Sequence, residues 1–327
     1  MRPGPLNLIT DVPGLAVGNA QDSDLQTGVT VLTGQQSLVT SAHVMGGAPG
    51  TRETDLLSPE ALVGGVDALV LSGGSALGLA AADGVSSALR VSGRGYSIHG
   101  HLVPIVPCAI IFDLTTGMQE WTTPPWHDLG FAAINNSGAN FLLGSIGAGI
   151  GATTANLKGG LGSASAKLGD VTVGALAVAN PIGSVTVGET ANFWAAAFEE
   201  AAEFGGLGPA PSGADPPVTK PEAQVQGATV IAIVATDLAL DKAQAKRLAV
   251  MAHDGIARSV VPSHTPFDGD IVFAVSTGER VVARTDLTLI RVGHAAATCL
   301  ARAIARGVFA ASPAPGDAKP AWRAKFG

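Results

Sequence analysis

Short runs of β-branched and aliphatic residues recur along the chain, bounded by glycine, proline or polar residues. This pattern is typical of buried strands. The predicted strands span residues 28–32, 38–44, 68–71, 103–114, 171–179, 229–235 and 270–275.

Apolar residues at helical spacing alternate with these strands. After the turn at residues 72–75, Leu77, Ala81, Val85 and Leu89 recur near helical spacing, and Ser75 can cap the start of that helix. Three further helices are predicted at residues 190–204, 242–260 and 285–309. Because strands and helices are mixed along the chain, the pattern predicts an α/β (α+β) fold built in layers.

Residues 205–226 break this alternation. They are rich in proline and glycine, show no hydrophobic period, and lead almost directly into the apolar strand that begins at Thr229. A connection of about twenty residues without secondary structure is uncommon inside a compact domain. One physical explanation is that the chain is cut there.

The composition excludes several classes of protein. Of the 327 residues, 46% are hydrophobic and 14% are charged, which supports a large core. The net charge of -7 argues against a nucleic-acid partner. Cys108 and Cys299 lie inside apolar runs, as buried thiols do in a reducing compartment. With no apolar segment after the first residues and no run of about 18 apolar residues, we expect a cytoplasmic protein without a membrane partner.

Thr229, at the end of the linker, is a candidate nucleophile. A threonine that becomes the first residue of a chain can use its own amine, with an ordinary pKa of about 7.7–8.0, as the base that activates its hydroxyl. Such a threonine must first be released by cleavage of the preceding bond. Threonine is also a common strand residue, so a packing role is the alternative interpretation.

Asp268 and Asp270 form a second candidate cluster, just before a predicted strand. Residues two apart on an extended backbone face the same side, so the two carboxylates can hold and orient an ammonium group. A glycine-centred turn with solvated acids is the alternative.

Other motifs argue against cofactors. The glycine-rich run at residues 144–151 lacks the lysine and hydroxyl of a phosphate loop, and it fits close backbone packing or a loop of donors near an oxyanion. Among the histidines, His99 and His101 form a single weak spaced pair. We expect neither a metal nor an organic cofactor.

Ordered segments spread over nearly the whole chain are characteristic of a known family. They cover residues 46–57, 73–79, 103–107, 111–113, 157–166, 179–181, 252–258 and 264–270. In them the chain resembles the family of the L-aminopeptidase/D-esterase, the β-aminopeptidases and the nylon-oligomer hydrolase, which are self-cleaving N-terminal-nucleophile-type hydrolases. The resemblance implies a single domain over residues 1–327 with a four-layer αββα sandwich, and a homotetramer or larger assembly.

The resemblance also implies where the site lies. Cleavage between Ala228 and Thr229 would give an α fragment of residues 1–228, with the flexible linker 205–226, and a β fragment of residues 229–327. Thr229 would be the nucleophile, Asn180 would help to stabilise the oxyanion, and Asp268 and Asp270 would lie near the new amine.

The family's catalytic lysine matches Lys167, with Lys158 as a second candidate. One departure stands out, because Ala228 occupies a position where the family usually has asparagine or glycine. Alanine lacks the conformational freedom of glycine at this bond.

Together these observations predict an aminopeptidase or amidase that acts on a small peptide or an amino-acid amide. Two alternatives remain at this stage. An acyltransferase would use the same nucleophile with an amine as acceptor. A homologue that stays uncut because of Ala228 would be a binding scaffold rather than an enzyme.

Overall fold

The computed structural model describes residues 1–117, 121–211, 218–221 and 227–327. Its strands are β1 (Leu15–Asp22), β2 (Thr27–Val44), β3 (Thr51–Arg52), β4 (Val66–Ser72), β5 (Tyr96–Ile98), β6 (His101–Val103), β7 (Cys108–Ile110), β8 (Gly160–Leu168), β9 (Val171–Asn180), β10 (Thr229–Leu238) and β11 (Ile271–Arg280). Its α-helices are α1 (Ala81–Val91), α2 (Trp126–Asn135), α3 (Lys242–Ala257), α4 (Thr285–Phe309) and α5 (Trp322–Phe326).

One long strand, β2, belongs to both layers of the sheet structure. Its first half pairs with β1 and β4, and its second half pairs with β11 after a register shift between Thr33 and Leu38. One layer therefore contains β8, β9, β10, β11 and the second half of β2. The other contains β1, the first half of β2, β4, β7 and β3.

Three apolar cores separate four layers. The first core lies between α3, α4 and the layer of β8–β11, and includes Val234, Leu248 and Leu300. The second lies between the two sheet layers and includes Leu69 and Ile233. A third core packs α1 and α2 against β2 and β4. The αββα sandwich that the resemblance implies is confirmed.

Most of the predicted elements are confirmed, with four corrections. Ser75 does not cap α1, because it begins a 3₁₀ turn, Ser75–Ala80, and α1 follows at Ala81 without a side-chain cap. The runs 28–32 and 38–44 form one continuous strand, β2. The predicted strand 103–114 is reduced to β7 and the end of β6, because two prolines interrupt it at Pro104 and Pro107. The predicted helix 190–204 is wrong, since only the 3₁₀ turn Trp194–Phe198 forms there.

Helix α4 agrees with its predicted bounds and has an unusual composition. It is long and apolar enough to cross a membrane, but 72% of its most apolar stretch is buried inside the protein. Its position over β8 and β9 accounts for that composition. Cys299 of this helix is a buried free thiol, as is Cys108, and burial raises the pKa of each thiol to about 12.

Candidate active site

Thr229 is the first residue of β10 and lies directly opposite Asn180, the last residue of β9. Its side chain is buried, and its Oγ1 atom lies against the carbonyl oxygen of Ala228, the residue before it. The backbone N–H of Gly269 donates to the same carbonyl oxygen over 3.0 Å. The carbonyl oxygen of the Ala228–Thr229 bond is thus contacted both by the hydroxyl of Thr229 and by a backbone hydrogen-bond donor.

The backbone before this bond is shaped by Gly227. Its φ of +87° lies in the left-handed region, and a Cβ there would lie 2.4 Å from Cβ of Phe112. Ala228 itself has a negative φ. Gly227 therefore adopts the left-handed conformation in this segment, and alanine at position 228 is compatible with the observed geometry.

Asn180 aims its amide at this segment. Its Nδ2 atom donates to the carbonyl oxygens of Phe112 and Gly227, each over 3.2 Å. Its Oδ1 atom accepts from the backbone N–H of Thr153 over 2.9 Å. The amide is almost fully buried, at 1% exposure, so these contacts determine which way it points.

The two predicted aspartates lie on either side of Gly269 and are both buried. Asp270 accepts from the N–H of Val230, the residue after Thr229, over 2.7 Å. Asp268 accepts from Ile182 N–H and from the Thr265 hydroxyl. Burial and the neighbouring Asp270 raise the pKa of the Asp268 carboxyl. The structure thus brings Thr229, Asn180, Asp268 and Asp270 together.

Three histidine rings contact one another in sequence, beginning beside Asp270. Nδ1 of His264 lies 2.7 Å from Asp270 Oδ2, although their orientation does not make a regular hydrogen bond. The ring of His253 makes an edge contact with His264, and His43 makes another with His253, each at 5.1 Å between centroids. Burial lowers the pKa of His253 to about 4, so this ring is neutral at pH 7.

The predicted lysines are placed differently. Lys167 pairs with Thr172 at the far end of β8, seven residues beyond Gly160, which lies opposite Ala179. At about 3.3 Å per residue this distance is roughly 23 Å, so the structure does not bring Lys167 to the site. Lys158 lies nearer, but its amine forms a buried ion pair with Asp317.

A lysine that the sequence analysis missed occupies the site. The Nζ atom of Lys220 lies 3.2 Å from both the carbonyl oxygen and Oδ1 of Asn180. Lys220 belongs to the predicted linker, where no apolar period or motif marks it as buried. The sequence offers no signal for it beyond a charged residue in the linker, eight residues before the predicted cleavage site. Other parts of that linker, 212–217 and 222–226, lie outside the described residues.

No cluster of three or more histidine, cysteine, aspartate or glutamate side chains suited to a metal ion occurs within residues 1–117, 121–211, 218–221 and 227–327. His99 and His101, the spaced pair noted above, lie at the hairpin between β5 and β6 and are exposed.

Solved structures with this fold include a β-aminopeptidase of Burkholderia sp. It aligns with a TM-score of 0.70 and 21% identity over 99% of this chain and 93% of its own. The L-aminopeptidase/D-Ala-esterase/amidase of Ochrobactrum anthropi, described as a new variant of the Ntn hydrolase fold, aligns with a TM-score of 0.69 and 23% identity. That alignment covers 96% of this chain and 90% of the other. The fold is therefore that of the Ntn hydrolases.

Sequence relatives extend the comparison. An uncharacterized aminopeptidase of Mycobacterium tuberculosis (strain ATCC 25618 / H37Rv) is 42% identical over 98% of both chains. A 6-aminohexanoate-oligomer endohydrolase of Kocuria sp. (strain KY2) is 30% identical over 82% of this chain and 74% of its own. The profile of Peptidase family S58 matches residues 7–320. The chain is therefore a member of Peptidase family S58, a family of peptidases and amide hydrolases.

Proposed function

We propose that this protein cuts itself between Ala228 and Thr229 and then hydrolyses amides with Thr229 as its N-terminal nucleophile. The observation that carries the proposal is the geometry of this one bond. The hydroxyl of Thr229 lies against the carbonyl of Ala228, and Gly269 N–H donates to that carbonyl over 3.0 Å. A donor held there is placed to stabilise the negative charge that develops on the oxygen during attack.

Self-cleavage then proceeds in two steps. The Thr229 hydroxyl oxygen bonds to the Ala228 carbonyl carbon, and the C–N bond breaks, so an ester joins the two residues and the Thr229 nitrogen becomes a free amine that takes up the hydroxyl proton. Water next hydrolyses the ester. The products are an Ala228 carboxylate and a Thr229 that carries both its hydroxyl and its amine.

In the mature enzyme the same hydroxyl attacks a substrate amide. The Thr229 amine accepts the hydroxyl proton and returns it to the leaving amine, and water releases the acyl group from Thr229. Asn180 Nδ2 now donates to Gly227 and Phe112, so departure of the cut strand end would free a donor for the substrate oxyanion. Asp270 holds Val230 N–H and thereby the start of β10.

We propose a small peptide or amino-acid amide with a free amino group as the substrate. Support comes from the names of the relatives, which are aminopeptidases and 6-aminohexanoate-oligomer endohydrolases.

The test is to incubate the protein with aminoacyl esters and amides, quench the reaction, and measure the masses of the two fragments. We expect the acyl group on the fragment that begins at Thr229. Turnover with acyl groups only on the α fragment would contradict the assigned nucleophile.

Replacing Gly227 should slow self-cleavage. In Gly227→Ala, the new Cβ would lie 2.4 Å from Phe112 Cβ at a φ of +87°, which displaces the Ala228 carbonyl from Gly269 N–H. We expect cleavage to slow by about 10-fold or more, since left-handed strain alone costs about 1–2 kcal/mol for an L-residue. The measurement is the intact fraction over time, followed by mass spectrometry.

A matched control separates the contact from the strain. Gly278 also has a left-handed φ, +75°, but no heavy atom lies within 4 Å of its Cβ position. Gly278→Ala should therefore lower stability without slowing cleavage. Equal cleavage rates in Gly227→Ala and the wild type would show that the left-handed conformation of residue 227 does not matter for self-cleavage.

A further inference from the structure

Lys220 is a buried amine in the part of the linker that the structure describes. Its side chain is 6% exposed, and its backbone N–H donates to the Ile182 carbonyl over 2.9 Å. Thr219 beside it forms a bridge with Gly183. This short stretch of linker is therefore anchored to the segment that follows β9, next to Asn180.

The Lys220 amine contacts Asn180 at two atoms. It donates to the carbonyl oxygen and to Oδ1, each over 3.2 Å. Oδ1 also accepts from Thr153 N–H over 2.9 Å. Because two donors face Oδ1, the opposite orientation of the amide would place its NH₂ group against an amine and an N–H. The observed orientation, with Nδ2 toward Gly227 and Phe112, is the one that satisfies all the groups.

The surroundings of the Lys220 amine shift its pKa toward neutral pH. Burial is the main cause that lowers the pKa of Lys220 to about 7, the Asp268 carboxylate opposes this shift, and nearby Lys319 adds to it. An amine in such surroundings can gain or lose its proton near neutral pH at little cost. A buried group with these properties beside a reacting bond is characteristic of functional sites.

We propose that Lys220 is a positioning residue of the active site, which orients the Asn180 amide toward the oxyanion. This inference rests on the proposed function. It accounts for the burial of Lys220 against Asn180. Neither candidate for the family's lysine makes this contact, because Lys158 is paired with Asp317 and Lys167 lies at the far end of β8.

Chemical rescue tests this role. Lys220→Ala removes the hydrogen bond to Asn180, so kcat should fall by about 10- to 100-fold, the usual range for a hydrogen bond from a charged group, while KM changes little. The variant also leaves room for a small amine. Methylammonium or ethylammonium added to the variant should restore kcat saturably. A purely structural role would leave the loss insensitive to added amine. If the variant does not mature, the same rescue is scored on self-cleavage.

Two controls sharpen the result. Lys167→Ala removes a lysine far from the site and should keep wild-type activity, with no response to added amine. The double variant Lys220→Ala/Asn180→Ala has the same space but lacks the amide that the amine orients, so added amine should not rescue it. Rescue of the double variant, or no loss in Lys220→Ala, would overturn the inference.

Failure of this inference is distinguishable from failure of the proposed function. If the wild type cleaves and hydrolyses while Lys220→Ala matches it, only the inference fails. If the wild type neither cleaves nor hydrolyses, the proposed function fails. In that case NMR of the Asn180 side-chain amide still reports on Lys220: amide resonances that shift in Lys220→Met support the contact of the amine with Asn180, and resonances that stay unchanged refute it.

Discussion

Thr229→Ala should remain a single uncut chain and lose amide hydrolysis. Removing the hydroxyl that lies against the Ala228 carbonyl removes the nucleophile for both self-cleavage and turnover. Loss of a nucleophile typically costs about 10⁴-fold or more, because the residues around it act as a unit. The measurements are the intact mass after prolonged incubation and the rate with aminoacyl amides.

Thr229→Ser is the matched control for this prediction. Serine keeps the hydroxyl and loses only a methyl group, so cleavage and turnover should both survive. Hydrolysis at the wild-type rate by an uncut Thr229→Ala chain would place the chemistry elsewhere. A cut Thr229→Ala chain would show that another protease makes the break.

Asn180→Ala should lower kcat by about 10²- to 10³-fold, the usual cost of losing one oxyanion donor. In the uncut chain Asn180 Nδ2 donates to the carbonyl oxygens of Phe112 and Gly227. We expect it to donate to the substrate oxyanion once the new chain end at Ala228 has moved away. Because an interaction made mainly in the transition state is removed, KM should change much less than kcat. The measurement is steady-state kinetics on chain that has already matured.

Asn192→Ala serves as the control for that loss. Its amide also donates to two backbone carbonyls, those of Leu207 and Gly208, but away from the cluster around Thr229. It should lose stability and keep kcat. Equal kinetic losses in the two variants would mean that Asn180 contributes through the fold rather than through the reaction.

Local patterns predict most of the fold because hydrophobic period and burial agree. The bounds of α4 follow from its apolar spacing alone, and β10 and β11 lie where their β-branched runs predict. The helix predicted at 190–204 is absent because ring contacts determine the path of this segment. Phe193 packs against Phe204 and Trp322. Helical spacing in such a segment does not require a helix, since tertiary contacts override propensity.

The site is only partly readable from the sequence. Thr229 and the two aspartates are marked by the linker and by their spacing, and Asn180 by the resemblance. The sequence gives no sign that Gly269 N–H would face the Ala228 carbonyl or that Lys220 would lie against Asn180. Both contacts join segments far apart in the chain, which only the assembled layers bring together.

The conformation of Ala228 differs from what its position in the sequence suggests. From the sequence it argues for an uncut scaffold, because alanine has less conformational freedom than glycine. In the structure the left-handed residue is Gly227, and Ala228 keeps a negative φ. The observed backbone conformation therefore does not require a glycine at position 228.

The most direct test of self-cleavage between Ala228 and Thr229 is the intact mass of the purified protein, with N-terminal sequencing of every species. We predict two fragments, the smaller beginning Thr229-Val230-Ile231. A single uncut chain that nevertheless hydrolyses amides, or a fragment that begins at another residue, would contradict it.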